Sequence, residues 1–321
     1  MRALVTGCAG FIGSQLAESL LGDGHEVVGV DALTDTYASA VKLGNLERSR
    51  EFESFSFREV DLTDTPLDRL VEECDPIFHL AAEPGVRTSW GDRFESYTRN
   101  NVLATQRLLE AAKRWPDKRV VFASSSSIYG DAELLPTPED VLPRPFSPYG
   151  VTKLAAEHLC ALYQGNYGVD AVALRYFSVY GPRQRPDMAF HRFCRAALRG
   201  EPLTIFGTGE QTRDFTFVAD VVAATRAAAI TRAAGGQVYN VGGGSRVSVN
   251  EALELIASFA GRPLEIRHLE SEKGDVRDTG ADTLRARREL GFNPTTTVEA
   301  GLQAEFEWMR NQERDPIHAS N

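Results

Sequence analysis

Short apolar runs alternate with amphipathic stretches through the first half of the chain. Residues 3–5 read as a buried strand, and 11–22 as a helix with Ile12, Leu16, Leu20 and Leu21 near one face. Further strands are expected at 26–30, 56–60, 76–81, 119–124 and 169–175, with long helices at 95–114 and 149–166. Strands alternating with helices imply crossover connections and a parallel sheet covered on both faces. The fold class is therefore α/β, a doubly wound parallel sheet of the Rossmann type. After about residue 180 glycine and proline become frequent, and helices are expected to shorten. This predicts a nucleotide-binding domain at 1–180 and a smaller substrate domain at 181–321. A helix at 220–231 and a strand at 238–242 are expected to return to the first domain, and the polar tail 311–321 to fray.

Composition narrows the class without changing this picture. A chain of 321 residues is long enough to bury a sizeable core. With 42% hydrophobic and 25% charged residues it is neither disordered, collagen-like nor a small disulfide scaffold. The net charge of −10 and the lack of a basic stripe argue against a nucleic-acid partner, while leaving room for local basic pockets. Cys8, Cys74, Cys160 and Cys194 lie far apart with no Cys-x-x-Cys pair, which argues against a zinc site and a disulfide framework. A reduced, cytoplasmic setting is expected. The first residues run at once into three glycines, then Gln15 and Glu18, unlike a signal peptide. No run of 18 apolar residues exists, so no membrane span is expected.

Thr6-Gly7-Cys8-Ala9-Gly10-Phe11-Ile12-Gly13 falls between the first strand and the first helix. A tight glycine-rich turn lets backbone N–H groups approach a pyrophosphate, and the helix N-terminus adds partial positive charge. Glycines alone mark many plain turns; the strand–turn–helix context selects a nucleotide cradle. Asp31 ends the second strand, 18 residues after Gly13. A carboxylate there accepts hydrogen bonds from an adenosine ribose and repels a 2′-phosphate, which favours NAD over NADP. Asp61-Leu62, ending the third strand, is a weaker candidate for fixing an adenine.

Tyr149-Gly-Val-Thr-Lys153 sets a phenol and an ammonium four residues apart, on one face of a helix. A free phenol titrates at about 10, too high for a base at neutral pH. A nearby ammonium stabilises the phenolate, and a hydroxyl from Ser124-Ser125-Ser126-Ser127 could relay the proton. Tyr-x-x-x-Lys alone is a weak pattern; downstream of a nucleotide cradle and a serine-rich strand end it is a strong one.

With these motifs the chain resembles the extended short-chain dehydrogenase/reductase family of nucleotide-sugar epimerases and dehydratases. The resemblance spans about 1–310 and rests on segments 6–13, 79–82, 124–130, 147–153 and 174–182, with Asp31, Asp61-Leu62 and Asn100-Asn101. It implies Tyr149 as catalytic base, Lys153 on the nicotinamide ribose, and Ser125, four before Tyr129, as the catalytic hydroxyl. It implies that Gly7, Gly10, Phe11, Ile12, Gly13, Leu80, Ala81, Ala82 and Tyr176 line the cofactor. It also implies a homodimer that pairs the two long helices into a four-helix bundle. His79 reads as a packed structural residue.

Within the family, dehydratases carry Asp-Glu after the catalytic hydroxyl and UDP-glucuronate decarboxylases a Glu at the second position; this chain has Ser126-Ser127. Simple epimerisation is favoured. Arg87, Ser127 and Ser178 suit a sugar carboxylate better than a hydroxymethyl. Segments 84–87 and 181–190 resemble UDP-glucuronate 4-epimerases, with UDP-glucose/galactose 4-epimerase as the second expectation. A solvated Arg87 is the bland alternative. Arg213 and Arg277, and less strongly Arg185, are expected at a UDP diphosphate. Phe206 and Gln211 are expected near the uracil, and Ala189 and Phe190 beside the substrate.

Overall fold

The computed structural model describes residues 1–244, 246–270, 274 and 276–314. The strands are β1 Arg2–Thr6, β2 Glu26–Asp31, β3 Phe55–Glu59, β4 Ile77–His79, β5 Val120–Ser125, β6 Ala171–Tyr176, β7 Ser178–Tyr180, β8 Leu203–Phe206, β9 Thr212–Phe217, β10 Val238–Val241, β11 Arg246–Ser248 and β12 Ile266–Leu269. Seven of them form one sheet in the order β10-β6-β5-β4-β1-β2-β3. Every pairing in it is parallel.

The apolar runs are continuous because both faces of this sheet are buried. In β1, Ala3 and Val5 enter one core and Leu4 the other; in β5, Val121 and Ala123 oppose Val120 and Phe122. Helices Phe11–Gly22 and Val218–Ile230 cover the first face, and Ala104–Ala112 and Pro148–Tyr167 the second. Strand order reverses between β1 and β4, so their carboxyl ends open a crevice.

A third core, with Phe190, Phe193, Ile205, Leu253 and Phe306, lies among helices Ala189–Arg199, Val249–Ala260 and Val298–Arg314. The last of these has 17 residues, so helices beyond residue 180 are not all short. It also carries the expected tail as far as Arg314 in a helix; residues 315–321 lie outside the described residues.

The expected helix at 95–114 is three consecutive segments: Phe94–Tyr97, a π-helical stretch Thr98–Leu103, and Ala104–Ala112. The π turn follows from Asn101, whose buried side chain is held from outside the helix. Its Oδ1 accepts from the Glu83 N–H at 2.6 Å, and its Nδ2 donates to the Glu83 carbonyl and to Thr152 Oγ1, each at 3.0 Å.

Candidate active site

The turn after β1 brings backbone against backbone. Gly7 has φ +70°, and a Cβ there would stand 2.8 Å from the Ala81 nitrogen. A Cβ on Gly13 would stand 2.1 Å from the Gly7 carbonyl oxygen. Only glycine permits this approach, and the helix Phe11–Gly22 then starts with its N–H groups facing the crevice. A cradle this shallow fits a dinucleotide pyrophosphate.

One cavity runs from this turn across the carboxyl ends of the strands. Gly7, Gly10, Phe11, Ile12, Gly13, Asp31, Asp61, Leu62, Leu80, Ala81, Ala82, Tyr149, Lys153 and Tyr176 all line it, with Ser124 and Arg185. The residues picked out of separate sequence segments for one cofactor thus share one wall. Asp31 accepts from the Ala9 N–H at 3.1 Å and the Leu33 N–H at 2.9 Å. Burial raises its carboxyl above the usual range against these bonds and the charge of Lys42. Burial also lifts the Asp61 carboxyl, but hydrogen bonds from Thr63 and Arg99 outweigh it and hold the group below its usual range.

Lys42, Thr34, Thr36 and Tyr37 line the same cavity and were not anticipated. Lys42 is buried, donates to the Thr34 carbonyl at 2.6 Å, and lies 4.8 Å from the Tyr37 ring centroid. The polar composition of the loop after Asp31 gives no sign of it.

His79 is a packed residue, as read from the sequence. Thr6 Oγ1 accepts from the Ala81 N–H, so it donates to His79 Nδ1 at 2.9 Å. Nε2–H then donates to Thr105 Oγ1 at 3.0 Å. Burial lowers its imidazolium to about 3, with the Lys153 charge adding to this.

Helix Pro148–Tyr167 presents the reactive pair. Ser147 caps it by accepting from the Gly150 N–H at 3.1 Å, Pro148 opens the first turn, and Gly168 closes the helix in the left-handed conformation. Tyr149 and Lys153 therefore stand on successive turns of one face. Burial raises the Tyr149 phenol above its ordinary value, opposed by the neighbouring Ser125 hydroxyl and by the charge of Arg185. Burial lowers the Lys153 ammonium to about 8, with Cys160 and Glu157 opposing it.

The expected substrate residues divide. Arg185 reaches the cavity and grips Asp187 with two hydrogen bonds, 3.0 and 2.9 Å. Ser127 donates its N–H to Ser125 Oγ at 3.1 Å, and Ser178 opens β7 beside Tyr176. Arg87, expected at a sugar carboxylate, stacks on Phe206, its guanidinium carbon 4.1 Å from the ring centroid. Phe206 and Gln211 meet, Gln211 Nε2 donating to the Phe206 carbonyl at 2.9 Å. Arg213 donates to the carbonyls of Val276 and Arg277 at 2.6 and 2.8 Å, so the two expected arginines are neighbours. Ala189 is exposed. Phe190 is 1% exposed and packs on Phe215 at 4.3 Å, so its ring belongs to the third core and not to a ligand site. A large aromatic ring in this segment gains more from full burial than from lining a polar site.

Residues 3–242 match the pattern of the NAD dependent epimerase/dehydratase family. The chain belongs to that family. It is similar to the UDP-glucuronic acid 4-epimerase of Bacillus cereus, solved in complex with UDP-glucuronic acid and NAD, at a TM-score of 0.94 and 43% identity; the match covers 97% of this chain and 99% of that one. It is 37% identical over 312 residues to a UDP-glucuronate 4-epimerase of Thermodesulfobacterium geofontis, covering 96% of this chain and 95% of the relative. An uncharacterized UDP-glucose epimerase of Bacillus subtilis, YtcB, is 43% identical over 310 residues, covering 96% and 98%. Among the described residues no cluster of His, Cys, Asp or Glu could hold a metal ion, and no helix is long and apolar enough to cross a membrane.

Proposed function

We propose that this protein is an NAD-dependent UDP-glucuronate 4-epimerase that yields UDP-galacturonate without decarboxylation. The observation that carries the reading is that Tyr149 and Lys153, one helical turn apart, line the same cavity as the Gly7–Gly13 cradle and Asp31. The similarity to solved and named UDP-glucuronate 4-epimerases supports it. NAD, when bound, supplies a hydride acceptor and donor for C4 of the sugar. Tyr149 takes the proton from the C4 hydroxyl, Ser125 holds the Tyr149 oxygen, and Lys153 carries the balancing charge.

The resulting 4-keto sugar has its carboxylate β to the ketone and loses CO₂ readily unless held. Keeping the carboxylate near the ring plane leaves the breaking C–C bond in poor overlap with the carbonyl π system. Ser127 and Ser178 are the candidates for that grip. Arg185 replaces Arg87 as the nearby cation, because Arg185 reaches the cavity and Arg87 stacks on Phe206. Arg213 and Arg277 anchor the diphosphate, with Phe206 and Gln211 at the uracil, so the sugar turns over while the nucleotide stays fixed. Asp31 selects NAD over NADP.

We assign the nucleotide-binding domain to 1–180, completed by segments near 215–245, and the substrate domain to the rest. A cytoplasmic homodimer completes the reading. Leu103, Val151 and Leu162 are 43, 50 and 55% exposed on the helices expected to pair and are offered for the pairing, while Leu108 and Leu109 pack against the sheet.

UDP-glucose/galactose 4-epimerisation is the second reading, favoured by the name of the Bacillus subtilis relative. Product identification by NMR after incubation with NAD and UDP-glucuronate, UDP-glucose or UDP-galactose decides between them. The expected outcome is UDP-galacturonate with little CO₂. A pentose product, or interconversion of UDP-glucose and UDP-galactose alone, would refute the assignment.

A further inference from the structure

Behind the reactive pair lies a buried ionic network that the proposed chemistry does not use. Glu157 follows Lys153 by one helical turn and Tyr149 by two. Its carboxylate is turned toward the sheet: Oε1 accepts from Arg175 at 2.6 Å, and Oε2 from Arg175 at 3.1 Å and from Ser124 at 2.7 Å. Both charged residues are buried. Arg175 is opposite Ser124 in the β5–β6 register, so sheet geometry aims it at Glu157. Its remaining nitrogen donates to Tyr129 Oη at 2.6 Å and to the Glu139 carbonyl at 2.8 Å. Tyr129 Oη in turn donates to Asn240 Oδ1 at 2.7 Å.

The charge count matters. A lone carboxylate one turn from Lys153 would neutralise the ammonium and repel a phenolate at Tyr149. Paired with Arg175, it leaves Lys153 as the excess buried cation. The other ionisable groups facing this row, among the described residues, include Arg185, which acts on the Tyr149 phenol, Tyr97, whose ring centroid lies 6.2 Å from that of Tyr149, and Glu139, whose carboxylate lies 4.0 Å from Arg285. Cys160, on the same helix, and His79, on β4, both stay neutral.

We propose that Arg175 and Glu157 are positioning residues whose ion pair, tied to the site wall through Ser124, sets the charge state of the Tyr149–Lys153 pair. This rests on the reading of Tyr149 as base. Tyr149 and Lys153 lose protons as a coupled pair, so a bell-shaped pH profile reports values belonging to both. Removing one charge from the network offsets both limbs in the same direction. Glu157 is about 12 Å along the helix from Tyr149 and about 6 Å from Lys153. At an effective dielectric of about 20, a full charge at the longer distance moves a limb by roughly one pH unit.

The test is the pH dependence of single-turnover reduction of bound NAD by UDP-glucuronate. Glu157→Gln should shift both limbs to lower pH, Arg175→Met should shift both to higher pH, and the double variant should return toward the parent profile. Arg175→Lys, which keeps the charge, should stay near the parent and covers the case in which Arg175→Met fails to fold. A merely structural role would lower the rate without moving the limbs in opposite directions. Unmoved limbs, or limbs moving the same way in both single variants, would overturn the proposal. Tyr149→Phe is the control: if it keeps its rate, the reading of Tyr149 as base fails instead.

Discussion

Glu305 offers a sharp test of the buried electrostatics. It sits in helix Val298–Arg314 at 0% exposure. Oε2 accepts from the Gly181 N–H at 2.8 Å, and Oε1 has no hydrogen-bond partner among the described residues. Burial moves its carboxyl from an ordinary 4.5 to about 8, against the Gly181 bond. A raised carboxyl means the folded state prefers the neutral acid. Its penalty is absent below about pH 4.5, grows by about 1.4 kcal/mol per pH unit, and levels off above about 8. At pH 7 the cost is about 3 kcal/mol, an order-of-magnitude figure, with no solvent screening to discount at zero exposure. Glu305→Gln keeps an acceptor for Gly181 and cannot ionise. Urea unfolding followed by tryptophan fluorescence, with Trp308 in the same helix as a local probe, should show the two proteins about equally stable near pH 4. The variant should gain about 3 kcal/mol by pH 7 and more by pH 8. Parallel stability curves from pH 5 to 8 would show that the carboxylate is solvated and the reasoning wrong.

Other outcomes follow from the same geometry. Tyr149→Phe should lower turnover at least about 10²-fold while leaving NAD bound, as measured by steady-state kinetics and cofactor content. Asp31→Ala should narrow the preference for NAD over NADP in titrations of the apoprotein; tighter NADP binding by the unaltered protein would refute the role. Leu162→Glu should convert a particle of twice the 35.3 kDa chain mass into a monomer in light scattering; a monomeric parent would refute the dimer.

The parallel sheet was legible because both faces of its inner strands are buried, which makes most of their positions apolar; the edge strand β3, with Ser56, Arg58 and Glu59, is the most polar. The cradle and the reactive pair were legible because each is local in sequence and tied to one conformation: glycine at φ +70°, and a phenol and an amine one turn apart. The remainder depended on contacts distant in sequence. Nothing near Asn101 announces a π turn, since its partners are Glu83 and Thr152. Nothing in the sequence marks Lys42, since its burial depends on the fold of the loop after Asp31. Phe190 resembled a site residue by position, while its ring is claimed by Tyr180 and Phe215. Arg87 was expected at a sugar carboxylate; its place on Phe206 depends on β8, more than a hundred residues away in sequence, lying beside the loop after β4.

The order of strands in the main sheet constrains how the protein is made. β6 is an edge strand until β10 pairs with it, and β10 ends at residue 241 of 321. A ribosome therefore exposes an unpaired parallel edge, rich in Val172 and Leu174, while it synthesises 60-odd intervening residues. At the usual elongation rate of about 5–20 residues per second this lasts seconds, long enough for edge-to-edge association between nascent chains. The vulnerable species in expression is the growing chain stalled short of β10. Slowed translation between residues 177 and 237 should drive the protein into aggregates even when the finished fold is stable.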